Sequence, residues 1–147
     1  MKSNAPLDVL RERAKEELDK AAIRLGQIRQ SHQLARKQLE QLQEYEREYR
    51  QKLQRGMTEG MASASWYNYQ QFIITLETAI EQHRTLLEQW SLRLQQAVQV
   101  WQNKHQRLNA LVTLHTRHQQ LQLAHDNRQD QKRMDEFAQR ACARKHS

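Results

Sequence analysis

Two seven-residue hydrophobic repeats dominate the chain, one on each side of a short segment that contains two glycines. In the first repeat, apolar or aromatic side chains recur every seven residues from Leu7 to Tyr49. In the second repeat, they recur from Trp66 to Leu108. A further set of positions follows each repeat at three or four residues, and this alternation is typical of a coiled-coil seam. The chain is therefore expected to fold as two long helices, in an all-α structure.

The break between the repeats predicts a hairpin. The pattern places helix 1 over about residues 7–53, a turn over about 54–64 and helix 2 over about 65–140. Gly56 and Gly60 favour the end of helix 1, while Ser63 or Ser65 suits the cap of helix 2. A break of this length lets the chain fold back on itself. We therefore expect a long two-stranded antiparallel coiled-coil hairpin in a single domain, 1–147.

The second helix is expected to be longer than its partner. The apolar seam fades after Leu111, where the core positions become polar or histidine, and helix 1 begins only at Leu7. Residues 113–140 are therefore predicted to overhang the two-stranded part as a single helix of weak local stability.

Composition excludes several classes of protein. The 147 residues include only three glycines and one proline, and 37% hydrophobic residues with 28% charged residues suit a coil that buries a narrow stripe. No uncharged apolar run of about 18 residues or secretory signal occurs, so we expect a cytosolic protein. Cys142 is the single cysteine and predicts no internal disulfide.

The charge pattern supports an antiparallel orientation more than nucleic-acid binding. The net charge is +7, but the surplus is shared by both halves of the chain. This distribution favours a solvated coil over a basic nucleic-acid stripe. Acidic residues crowd the start of helix 1, whereas residues 89–125 contain none. The predicted register places Glu12 and Glu16 opposite the region of Lys104 and Arg107.

No pattern in the sequence predicts catalysis or a cofactor. His115, His118 and His125 have helical spacing, but no cysteine or carboxylate cluster completes a metal-ligand set. Phosphate-binding loops, metalloprotease helices and nucleophile elbows are absent from the sequence. We expect a chain that is not an enzyme and that holds no metal or cofactor.

Two surfaces exceed what a seam requires. Tyr45 and Phe72 are large and apolar for positions that flank a seam, and the flanks that carry them face the same side of an antiparallel pair. We name this candidate partner surface the docking ridge. It consists of Gln38, Leu42, Tyr45, Tyr49, Phe72, Leu76, Ala79 and His83. The alternative interpretation of four of them is a plain seam residue: Leu42, Tyr49, Leu76 and His83.

The second surface is the tail, where Met134 and Phe137 lie on an apolar face amid basic residues. It is either a helix that inserts into a groove or ring, or a fraying amphipathic end.

A resemblance to a known family is carried by residues 68–84, which include the run Asn68-Tyr69-Gln70-Gln71-Phe72, and by residues 127–140. Over nearly its whole length, the chain resembles the FliJ family of flagellar export proteins. The resemblance implies a fold like the gamma stalk of rotary ATPases and a role in flagellar type III secretion. It also implies that the end with both termini enters the export ATPase hexamer and promotes its assembly and activity.

The resemblance further implies partners and site residues. The expected partners are the export ATPase hexamer, the ATPase regulator, export chaperones and the cytoplasmic region of the export gate protein FlhA. We expect the protein to be a monomer in the cytoplasm that associates peripherally with the inner membrane at the flagellar base. All eight docking-ridge residues match the family's gate-binding surface. The residues expected to bind the ATPase are Arg13, Lys20, Arg24, Met134 and Phe137.

Two other functions stay open at this point. A structural or scaffolding coiled coil would associate with copies of itself through the seam. A basic nucleic-acid binder is the third possibility, to which the scattered charge is unfavourable.

Overall fold

A computed structural model of the chain describes residues 5–146. Two helices, α1 at Ala5–Glu59 and α2 at Ser63–His146, account for nearly all of this range, and no strand occurs within it. The prediction of an all-α fold is confirmed. Both helices are longer than predicted, because α1 continues past residue 53 and α2 past residue 140.

A glycine ends α1 by adopting a left-handed conformation. Gly60 has a φ of 84°, and the N–H of Met61 donates to the carbonyl oxygen of Gly56 at 2.7 Å. This six-to-one hydrogen bond is the mark of a Schellman C-cap. Gly56 is helical and has a different role, because a Cβ there would collide with the end of the Met61 side chain. The helix therefore ends at the second of the two glycines.

The N-cap position of α2 is occupied by an alanine, whose side chain cannot accept a hydrogen bond. The N–H of Trp66 donates to the carbonyl oxygen of Ala62 at 3.0 Å, which places Ala62 at the cap position. Ser63 and Ser65 both lie within the first turn of α2. Only residues 60–62 connect the helices, so neither serine precedes α2. The prediction that Ser63 or Ser65 caps this helix is therefore wrong.

The contacts divide the chain into two compact units. The larger unit, Asp19–Gln102, contains a buried seam between α1 and α2. Its core is formed by Leu25, Ile28 and Ala97, with Trp90, Leu94, Val98 and Trp101 packed against them.

Polar contacts across the seam establish the relative direction of the two helices in the larger unit. His32 Nε2 lies 3.0 Å from Ser91 Oγ, and Arg50 forms an ion pair with Glu77. A later residue of α1 thus meets an earlier residue of α2. The predicted antiparallel helical hairpin is confirmed.

The smaller unit joins the start of α1, up to Leu18, with α2 from Asn103 onward. Ala14 is buried there, and Lys104 Nζ lies 3.0 Å from Glu17 Oε2. The partner of Lys104 is thus Glu17, not Glu12 or Glu16 as predicted. Glu17 borders the seam and is half-buried, whereas Glu12 and Glu16 are exposed. The hydrogen bond and charge of Lys104 lower the pKa of Glu17 below the ordinary carboxyl range.

The end of α2 is accessible along its length. Every described residue from Gln119 to Lys145 is exposed, including Met134 at 68% and Phe137 at 75%. The sequence-based overhang of residues 113–140 stays a prediction. Between residues 5 and 146, neither helix has a stretch both long and apolar enough to cross a membrane.

Alanine at Gly60 should destabilise the hairpin. An L side chain is strained at a φ of 84°, so Gly60→Ala should lower the free energy of unfolding by about 1–2 kcal/mol. Gly26→Ala is the matched control, since Gly26 is helical and nothing lies within 4 Å of its missing Cβ. It should raise that free energy by about 0.5–1 kcal/mol. Urea denaturation followed by circular dichroism measures both, and stabilisation by Gly60→Ala would contradict the C-cap assignment.

The ion pair at Glu17 should make stability depend on acid pH. Because folding lowers the pKa of Glu17, its contribution is present at neutral pH and is lost as pH falls through and below the ordinary carboxyl range. Glu17→Gln should therefore be less stable than the parent at neutral pH, with the difference disappearing in acid. Thermal denaturation over a pH series measures this effect. Glu12→Gln, an exposed charge-matched control, should show a smaller difference, and an equal one would argue against the pair.

Candidate docking surface

The docking ridge lies in the unit of residues 19–102, beside the end that contains the turn. An aromatic contact brings its two halves together. The rings of Tyr49 and Phe72 have centroids 4.4 Å apart at an interplanar angle of 47°, and the Tyr69 ring lies 5.8 Å from Tyr49. Tilted pairs at these distances are favourable aromatic contacts. The ridge residues of α1 and those of α2 thus meet at the contact between Tyr49 and Phe72.

The ridge residues differ in how much surface they present. Tyr45 and Phe72 are 44% and 42% exposed, while Leu76 is only 6% exposed. Leu76 is therefore a buried seam residue and contributes little accessible surface to the ridge. Gln38 is exposed, and the remaining members are half-buried: Leu42, Tyr49, Ala79 and His83. The accessible apolar surface of the ridge thus consists mainly of Tyr45 and Phe72.

The ridge presents aromatic rings together with a few polar groups. Lys52 Nζ lies 5.1 Å from the centroid of the Tyr49 ring, and Tyr49, Ser65, Asn68, Tyr69 and Phe72 line a shallow cleft. Aromatic walls with a few hydroxyl and amide groups suit an apolar side chain of a partner. Among the described residues, no group of three His, Cys, Asp or Glu side chains is placed to hold a metal ion.

Known proteins resemble this chain along its whole length. The family model described as "Flagellar FliJ protein" matches residues 2–147. The chain belongs to the FliJ family. The Flagellar FliJ protein of Salmonella typhi is 48% identical over 145 residues, and that of Escherichia coli strain K12 is 46% identical over 145 residues. Each alignment covers 99% of both chains.

Membership of the FliJ family confirms the resemblance drawn from residues 68–84 and 127–140. The family description and the names of both relatives designate a flagellar protein. None of these names carries an enzymatic activity, in agreement with the prediction that the chain is not an enzyme.

The residues that FliJ-family resemblance assigns to the ATPase fall in both units. Arg13, Met134 and Phe137 belong to the smaller unit, whereas Lys20 and Arg24 belong to the larger one. All five side chains are exposed. Their joint role in one binding site stays a prediction.

Sequence reasoning missed Arg93, which lies with Arg24 on the same flanks as the docking ridge but farther from the turn. Arg24 and Arg93 line the same two adjoining clefts, whose floor includes the buried Ile28. Arg93 also lies over the Trp90 ring, with its guanidinium carbon 4.8 Å from the centroid. The signal was present in the sequence, because Arg93 lies two heptads after Ala79 of the ridge and Arg24 two heptads before Gln38.

Proposed function

We propose that this FliJ-family chain is a non-enzymatic component of the flagellar type III export apparatus that works as a stalk-like activator of the export ATPase. In this function it binds the ATPase hexamer, links it to the export gate and handles export chaperones. The observation that best supports the proposal is the exposed pair Tyr45 and Phe72 in a chain of this family. An exposed aromatic pair beside a coiled-coil seam adds little to the seam but suits a protein partner.

The gate-binding role is assigned to the docking ridge. Tyr45 and Phe72 present apolar rings to solvent, and the Tyr49 ring packs against Phe72 from the seam side. A ring held by its neighbour loses little conformational entropy when a partner covers it. The cytoplasmic region of the export gate protein FlhA is the proposed partner at this surface.

The ATPase-binding role is assigned to the exposed end of α2 and to the start of α1. Met134 and Phe137 are 68% and 75% exposed, and all described side chains around them are exposed as well. A helix with a solvated apolar face is suited to insertion into a groove or ring of a partner. Arg13, Lys20 and Arg24 supply positive charge on α1 for the same partner.

The proposed setting follows from these partners. The protein acts as a monomer in the cytoplasm and associates peripherally with the inner membrane at the flagellar base. The ATPase regulator is a further proposed partner. Each helix of the chain is continuous, which supports coupling between its binding surfaces.

Removal of the two exposed rings of the ridge should weaken gate binding. Tyr45→Ala with Phe72→Ala should reduce affinity for the purified FlhA cytoplasmic region by about tenfold or more, because aromatic anchors commonly supply 1–2 kcal/mol each or more. Calorimetry or fluorescence anisotropy measures the dissociation constant. Ile23→Ala with Ile74→Ala is the matched control, since these side chains are 64% and 52% exposed and lie off the ridge. Equal affinity of the ridge variant and the parent would remove the ridge from the gate-binding function.

The exposed end of α2 should be needed for activation of the ATPase. Addition of the purified protein should raise the turnover and hexamer formation of the cognate export ATPase, and deletion of residues 127–147 should abolish this effect. Met134→Ala with Phe137→Ala should reproduce much of the loss by removing only the apolar contacts. Leu121→Ala with Leu123→Ala is the control, because these residues are 71% and 62% exposed in the same helix. Turnover unchanged by saturating parent protein would contradict the proposed activation.

A further inference from the structure

The docking ridge is one end of a longer surface within the unit of residues 19–102. Heptad spacing leads from Tyr45 back along α1 to Arg24, and from Phe72 forward along α2 to Arg93. The structure brings these distant ends together as well, because Arg24 and Arg93 line the same two clefts. We name this surface the acid-free flank. It extends from Tyr45 and Phe72 at one end to Arg24 and Arg93 at the other, with Leu86 between them.

Charges are segregated between the two sides of this unit. The opposite side contains ion pairs, such as Arg36 with Glu40 at 3.3 Å and Arg84 with Glu81 at 2.8 Å. On the acid-free flank, the heptad positions from Arg24 to Tyr45 and from Phe72 to Arg93 contain no Asp or Glu. Within the described residues, neither Arg24 nor Arg93 has a carboxylate partner. The flank therefore offers positive charge that the chain itself does not neutralise.

Apolar side chains accompany these arginines. Leu86 and Val100, which share the heptad positions of Phe72 and Arg93 on α2, are 38% and 48% exposed, although water contact is unfavourable for both. The clefts at the arginine end have an apolar floor, because Ile28 and Ala97 are buried there. An apolar surface that ends in unpaired cations is complementary to an amphipathic segment that bears carboxylates.

We propose that the acid-free flank binds an acidic amphipathic helix of the gate partner. The apolar face of that helix covers Tyr45, Phe72 and Leu86, and its carboxylates pair with Arg24 and Arg93. This inference rests on the proposed gate-binding function of the ridge, and it adds the chemistry and length of the bound segment. It assigns Arg24 to the gate partner instead of the ATPase, to which the FliJ-family resemblance assigns that residue.

The length and conformation of the bound segment follow from the flank. Tyr45 and Arg24 are separated by 21 helical residues, which corresponds to about 32 Å at 1.5 Å per residue. A helical segment of about 20 residues covers this distance. Helical conformation is favoured because the described chain offers no sheet edge, so an extended segment would leave its backbone groups unpaired against the apolar surface.

Paired arginine substitutions test this inference directly. Arg24→Gln with Arg93→Gln should weaken binding of the purified FlhA cytoplasmic region about 5- to 20-fold at low ionic strength, and the affinity should depend less on salt than that of the parent. Arg29→Gln with Lys37→Gln makes the same charge change in the same unit but off the flank. This control should change affinity by less than about twofold, and circular dichroism should show unchanged helix content in both variants.

Each outcome separates this inference from the function on which it rests. Loss confined to the Arg24/Arg93 variant supports an acidic ligand on the flank. Equal loss in the Arg24/Arg93 and Arg29/Lys37 variants indicates general electrostatic attraction and overturns the inference. Parent-like binding by the Arg24/Arg93 variant, together with loss in the Tyr45/Phe72 variant, overturns the inference and leaves gate binding at the ridge intact. Loss of ATPase stimulation with unchanged gate affinity assigns the arginines to the ATPase and also overturns it. Absence of binding by the parent contradicts the proposed gate-binding function itself.

Discussion

Burial of a narrow apolar seam between α1 and α2 is the interaction on which the rest of this structure depends. Few side chains are almost fully buried, and several are alanines, such as Ala14, Ala35 and Ala97. Small residues let the two helix backbones approach, while Leu25, Ile28 and Ile80 fill the remaining space. Since each helix buries only one stripe, stability depends on keeping both stripes in register. The Gly60 cap and the short connection to Ala62 contribute to that register from one end.

The seam also determines which other residues share a surface. In an antiparallel pair, one flank of α1 always lies beside the corresponding flank of α2. This constraint places Arg50 beside Glu77 on one side of the larger unit, and Arg24 with Arg93 on the other. Polar residues on both flanks of each helix would make the two sides of the helix pair equally hydrophilic. In the larger unit, ion pairs such as Arg50 with Glu77 instead lie on one side, while Tyr45, Phe72 and Leu86 are exposed on the other.

Features that follow from helical periodicity were predictable from the sequence. The two helices, their antiparallel pairing and the meeting of the two halves of the docking ridge, where the Tyr49 ring contacts Phe72, all depend on spacings of three, four and seven residues. Features that depend on backbone conformation were not predictable in the same way. Both Gly56 and Gly60 are suited to end a helix, and only the φ of 84° at Gly60 distinguishes them. Similarly, Ala62 occupies the N-cap position of α2, where its carbonyl accepts the first intrahelical bond and its side chain gives no capping signal.

Pairing of individual charges was predicted only approximately. Glu16 and Glu17 are adjacent in sequence, but one helical step of 100° separates an outward carboxylate from one that reaches Lys104. The position of Arg93 beside Arg24 was missed for a different reason. An arginine beside a seam is ordinary in a coiled coil, and it becomes distinctive only when the structure places it with Arg24 over the buried Ile28.

The central claim is that the seam pairs two halves of the same chain. Light scattering coupled to size-exclusion chromatography tests it most directly, by giving the mass in solution independently of shape. An intramolecular hairpin predicts a folded, helical species of 17.7 kDa over a wide range of concentration. An obligate species of twice that mass would mean that the seam joins separate chains, and would contradict a hairpin that presents its docking flank as a monomer.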